Sequence, residues 1–331
     1  MPLDARLEPL LAQVPAGART PLLDAPDLLE AVARVRAEEQ ALAPTIRDEL
    51  VGAGPELAEV GDHPVAVDGG EITVRVYRDA DGPVPVFLYL HGGGWWLGDL
   101  DSADVFCRSI AKLAGCAVVS VDYRRAPEHH FPVPLEDAYS ALIWAVDNAD
   151  ALAFDATRVA VGGESAGANI AASLALLARD RGGPTLCGQV LDVPALDFTL
   201  AQPSIAELGE GYGLTRTETK RCIDLYLGRD TVRTDPLASP LHADVAGLPP
   251  ALIMTAEFDL LRDDGAAYAN RLQAAGVTAT LHCWPGLTHG IAHAAKLLPE
   301  ITAAYDRETA DFLRGIFDAR ATWKERVGVG L

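Results

Sequence analysis

The sequence predicts an α/β fold, a mostly parallel sheet covered by helices on both faces. Three observations lead there. Short apolar runs of strand length alternate with longer runs of helical pattern along most of the chain. One apolar run leads into Gly163-Glu164-Ser165-Ala166-Gly167 and then into a helix-like run, so a serine stands on a tight strand-to-helix turn. Another run, Val86 to Leu90, leads into three consecutive glycines, Gly92, Gly93 and Gly94.

Taken in order, residues 1–55 are rich in Ala, Leu, Glu and Arg and helical in pattern before any strand appears. Strand-like runs follow at Ile72 to Tyr77, Val84 to Leu90, Ala117 to Val121, Val159 to Gly162, Gly188 to Val193, Ala251 to Thr255 and Thr278 to Cys283. Helix-like runs separate most of them: Ser102 to Leu113, Pro134 to Asn148, Ala166 to Arg179, Asp264 to Ala275 and Ile301 to Ile316. Residues 196–234 break the alternation. They hold Gly209, Gly211 and Gly213 and a helix-like piece, Thr217 to Leu227, with Thr215 placed as its N-cap. The chain therefore divides into an N-terminal helical cap segment (1–55), a first core part (56–195), a cap insertion (196–234) and a second core part (235–331).

Composition bounds the function. The 331 residues are 49% hydrophobic, ample for one large α/β domain. No apolar run reaches spanning length, so no membrane helix is expected. Met1 to Pro9 carry Asp4 and Glu8 and lack the basic-then-apolar order of a signal peptide, which points to a soluble, cytoplasmic protein. The formal charge of −20, from 47 acidic against 27 basic residues, argues against nucleic acid or an anionic membrane as partner. Five scattered cysteines, Cys107, Cys116, Cys187, Cys222 and Cys283, show no metal-ligand spacing, so reduced thiols and no structural zinc are expected.

The chemistry is read from the serine outward. A hydroxyl is a weak nucleophile until fold and neighbours expose and activate it, and G-x-S-x-G on a strand–turn–helix does the first of these. In His91-Gly92-Gly93-Gly94-Trp95, bare backbone leaves N–H groups free to meet the oxyanion of a tetrahedral intermediate. Losing one such donor typically costs about 3 kcal/mol. The N–H of Ala166 would be a further donor. The base should follow the last strand. His289, in Gly286-Leu287-Thr288-His289-Gly290, stands there; His282 lies within the strand run, His293 one helical turn beyond, and His129 and His130 precede the serine. The acid should follow Ala251 to Thr255. Asp259 lies in that loop, with Glu257 the second choice, while Asp263 and Asp264 suit the start of the next helix.

On these residues the chain resembles the hormone-sensitive lipase-like family of α/β-hydrolases, also called bacterial esterase family IV. The shared features are His91 to Trp95, Asp122-Tyr123-Arg124-Arg125-Ala126-Pro127-Glu128, Gly163 to Gly167, Asp235-Pro236 with Ser239-Pro240, Asp259 to Gly265, and His289-Gly290. The resemblance implies an eight-stranded sheet with a helical cap and hydrolysis of carboxylic esters of short to medium acyl chain without a cofactor. It implies Ser165 as nucleophile, Asp259 as acid and His289 as base. Gly93, Gly94 and Ala166 would form the oxyanion hole, with Gly92 shaping the turn. Dimers are common in the family, although no stripe in this sequence marks an interface. Glu164, Leu260, Arg125 and Ile291 depart from the family's usual residues and are expected to act on pocket shape. Trp95, Trp96, Phe198, Tyr212, Phe258 and Leu287 are candidate pocket walls. The same triad would serve an arylformamidase or other amide hydrolase, or a triacylglycerol lipase. A non-catalytic ligand-binding protein on this fold would typically lack the His.

Overall fold

Apolar runs buried on both faces set the centre of the sheet. The computed structural model describes residues 1–13 and 27–327. Residues 14–26, part of the segment read as an N-terminal helical cap, and residues 328–331 lie outside the described residues. The strands are β1 (Glu59–Val67), β2 (Gly70–Arg78), β3 (Val84–Leu90), β4 (Ala117–Asp122), β5 (Phe154–Glu164), β6 (Leu186–Asp192), β7 (Ala251–Phe258) and β8 (Ala279–Thr288). They form one sheet in the order β1-β2-β4-β3-β5-β6-β7-β8. β1 pairs antiparallel with β2, and β2 with β4; every later pair is parallel. Every residue of β3 is buried, as a strand covered on both faces requires.

The helices are α1 (Glu8–Gln13), α2 (Leu28–Ile46), α3 (Asp104–Ala114), α4 (Val133–Asp147), α5 (Ala149–Leu152), α6 (Ala166–Asp180), α7 (Pro203–Glu207), α8 (Arg216–Leu227), α9 (Arg262–Ala274) and α10 (Pro299–Val327). One core joins α4, α6 and α9 to the sheet through Leu135, Leu142, Ile170, Leu174, Tyr268 and Leu272. The other joins α3 and α10 to the opposite face through Phe106, Ile110, Tyr305, Leu313 and Phe317.

All seven apolar runs are strands. The eighth strand, β1, escapes an apolar reading because it lies at the sheet edge and buries only Val65. α8 begins as expected: Thr215 accepts the Glu218 N–H at 3.2 Å.

The two segments outside the β–α alternation meet above the sheet. Val32 and Val35 of α2 pack with Trp96, Leu97 and Leu225, and Leu11 lies 3.6 Å from the place a Cβ would take on Gly213. Arg36 of α2 donates to the carbonyls of Trp96 at 2.8 Å and Ala126 at 2.7 Å and pairs with Glu128. The 196–234 segment is moored to α9. Asp264 accepts the N–H groups of Leu196 and Asp197, and Asp263 accepts that of Ser204.

Candidate active site

β5 ends at Glu164 and α6 starts at Ala166, so Ser165 must turn the chain by itself. It does so at φ 54° and ψ −113°, a conformation that L-residues rarely adopt and that costs on the order of 1–3 kcal/mol. The glycines make the turn sterically feasible. A Cβ on Gly167 would sit 2.0 Å from the Leu90 carbonyl, and one on Gly163 would sit 2.5 Å from it. The Ser165 N–H donates to the Asp192 carbonyl at 2.8 Å, which anchors the turn to β6.

Asp259 follows β7 directly and His289 follows β8. The His289 Nε2 lies 2.8 Å from Ser165 Oγ, and its Nδ1 lies 2.8 Å from Asp259 Oδ2. The tautomer that satisfies both has Nδ1–H donating to Asp259 and Nε2 accepting the serine hydroxyl. Asp259 is buried, and its other oxygen accepts the Leu261 N–H at 2.9 Å. Burial disfavours a charged imidazole. Here Asp259, Glu164 and Asp192 outweigh burial and raise the His289 pKa above its ordinary 6.5.

The other acids and histidines are used elsewhere. Glu257 pairs with the terminal amine of Met1 and accepts the Gly286 N–H. His282 faces Glu308, and His293 faces Asp192.

The loop after β3 brings bare backbone to the serine. Gly93 has φ 114° and Gly94 φ 61°, and a Cβ on Gly93 would meet the Leu97 carbonyl at 2.4 Å. Among the described residues, the N–H groups of Gly93, Gly94 and Ala166 donate to no protein acceptor. Gly92 has no positive φ; its missing side chain leaves room for the Glu164 carboxylate, 3.0 Å from where a Cβ would be. Glu164 also reaches toward Gly290, with Oε1 2.8 Å from that residue's would-be Cβ. Burial raises its pKa, an effect opposed by His293 and His289 and reinforced by Asp192.

A cavity of about 340 Å³ opens onto Ser165 and His289. Trp95, Trp96 and Tyr212 line it, as the sequence predicts. Phe198, Phe258 and Leu287 do not. Phe198 is fully buried edge-on to Trp95, Phe258 stands behind Tyr212, and Leu287 belongs to the core on the α3 and α10 side. Residue type alone does not tell which way an aromatic points. Sequence reasoning missed the wall that α8 supplies through Glu218, Thr219 and Cys222, although the helix itself was read. The i,i+3 and i,i+4 steps from Thr219 and Glu218 to Cys222, which put all three on one helix face, were the signal that could have found them. Of the four departures from the family pattern, only Glu164 lines the cavity. Leu260 is buried, Arg125 donates to the Gly98 carbonyl, and Ile291 packs on the α3 and α10 core.

Residues 87–293 match the family described as alpha/beta hydrolase fold. The chain belongs to this family. This α/β-hydrolase is 40% identical over 295 residues to Carboxylesterase NlhH of Mycobacterium tuberculosis, covering 86% of this chain and 89% of that one. It is 34% identical to an arylesterase of Saccharolobus solfataricus, over 80% of this chain and 87% of the other. Its structure is similar to that of an esterase from Pyrobaculum calidifontis, with TM-score 0.86 and 37% identity over 95% of this hydrolase and 99% of that chain. The resemblance to the hormone-sensitive lipase-like branch is borne out by these esterase relatives.

Proposed function

We propose that this chain is a carboxylesterase that hydrolyses short- to medium-chain carboxylic esters through Ser165, His289 and Asp259. The observation that carries the reading is the hydrogen-bonded chain from Ser165 Oγ through His289 to Asp259 at the floor of the cavity. The cavity volume, about 340 Å³, is near the small end of the roughly 300–1,000 Å³ usual for ligand sites and favours compact esters. The esterase names of its relatives support the same bond class.

Chemistry then runs in two steps. Ser165 Oγ bonds to the ester carbonyl carbon while its proton passes to His289 Nε2. The N–H groups of Gly93, Gly94 and Ala166, without an acceptor among the described residues, supply donors for the oxyanion. His289 returns the proton to the leaving alcohol, and water then attacks the acyl-enzyme by the same route. Asp259 orients the ring and stabilises its charged form without taking the proton. No cofactor enters this scheme. The 196–234 segment acts in it as a cap over the cavity, with α8 as one wall and α2 packed against the Trp96–Leu97 loop beside it. The scattered thiols suit a cytoplasmic setting.

The test is hydrolysis of p-nitrophenyl esters from C2 to C16, with Ser165→Ala alongside. Turnover should peak at short or medium chains and fall by at least about 10³-fold in the folded variant. Substantial turnover by Ser165→Ala would overturn the assignment.

A further inference from the structure

One buried charge pair lies beneath the site and takes no part in the chemistry above. Asp192 ends β6 and is the register neighbour of Glu164 in β5. Its backbone carbonyl holds the Ser165 N–H. Its side chain reaches the other catalytic loop: Oδ2 lies 3.0 Å from His293 Nε2, four residues past His289, and Oδ1 accepts the Tyr305 hydroxyl of α10. Asp192 is buried, and a buried carboxylate is costly unless it is paired and hydrogen-bonded. His293 is held in turn between the rings of Phe106 and Tyr305, at 4.8 and 5.4 Å. A single residue thus grips the nucleophile turn by its backbone and the loop of the base by its side chain.

We propose that Asp192 and His293 are a positioning pair that sets the Ser165–His289 distance and balances the charge around His289. The inference rests on the triad assignment above. The groups facing His293 are Asp192 from β6, Glu164 from β5, and Tyr305 and Asp306 from α10; the face toward α3 is the Phe106 ring. Burial opposes its charge, but Asp192, Glu164 and Asp306 outweigh burial and push the His293 pKa up to about 9. These carboxylates favour the charged form of His293, and two of them also act on His289.

The signs follow from Coulomb's law. His293→Gln keeps a donor for Asp192 but removes the positive charge. Asp192 and Glu164 then favour protonated His289 more strongly, and the acid limb of kcat/KM moves to higher pH. Asp192→Asn removes a negative charge and also the chief partner that keeps His293 charged, two effects that oppose each other at His289, so that limb moves less than in His293→Gln. The His293→Gln shift should be on the order of 0.5 pH unit. Both variants should lower kcat with KM nearly unchanged, because neither residue lines the cavity.

The experiment is the kcat/KM–pH profile of wild type, His293→Gln, Asp192→Asn and Tyr305→Phe with p-nitrophenyl butyrate. Tyr305→Phe loosens the brace without altering charge, so kcat should fall while the acid limb stays in place; it keeps the test open if Asp192→Asn does not fold. A rise of the limb in His293→Gln that Asp192→Asn does not match supports the pair. An equal rise in both variants, or no movement from His293→Gln, overturns it. Ser165→Ala run in parallel separates the two failures. A silent Ser165→Ala beside unshifted pair variants sinks only the pair, whereas an active Ser165→Ala sinks the triad.

Discussion

At the scale of single residues, the site depends on three side chains whose roles differ by environment. Ser165 is exposed by a strained turn, Asp259 is sealed from water, and His289 stands between them within 2.8 Å of each. The raised pKa of His289 has a measurable consequence. The base must be neutral to take the serine proton, so kcat/KM should fall as pH drops through a midpoint above 6.5. A pH–rate profile on a neutral ester checks this, and a midpoint below 6.5 would contradict the charge balance described. These three residues were legible in the sequence because chain order, motif and strand ends all restrict the choice. Glu164 was not. Its place is fixed by Gly92 and Gly290, which approach it only after the strands are assembled. The side-chain direction of Phe198 and Leu287 was hidden for the same reason.

At the scale of elements, glycine decides where backbone can come close to the reacting group. In the loop after β3, Gly93 combines φ 114° with a Leu97 carbonyl 2.4 Å from its would-be Cβ. Gly93→Ala should therefore displace a donor that meets the oxyanion. The expected result is a loss of about 10²-fold in kcat with little change in KM, measured with a short-chain ester. A variant with wild-type kcat would mean that this loop does not stabilise the oxyanion. Central strands such as β3 were readable because burial on both faces demands a continuous apolar run. The edge strand β1 was not, since a strand that faces water on most positions looks polar. Ends were less readable than centres. β8 runs on to Thr288 past the turn-like Pro285 and Gly286, where its register with β7 shifts before pairing resumes at Phe258 and Thr288.

At the scale of the whole molecule, no single layer holds the site. The sheet supplies the ends of β3, β5, β6, β7 and β8. α6 starts at the nucleophile, and α2 and α8 close over the Trp96–Leu97 loop, with Arg36 fastening α2 to it. The sequence showed that two helical segments stand outside the β–α alternation. It could not show which of their side chains face the cavity, because that depends on how α8 lies across Gly94. Among the described residues no helix is long and apolar enough to cross a membrane. The central claim is that this assembly activates one serine among all the hydroxyls of the chain. Its most direct test is the intact mass and peptide map of the full-length protein after reaction with an ester-mimicking organophosphonate. The account predicts one adduct, on Ser165, with loss of esterase activity in step with labelling and no adduct in Ser165→Ala. An adduct on another residue, or full activity after labelling, would contradict it.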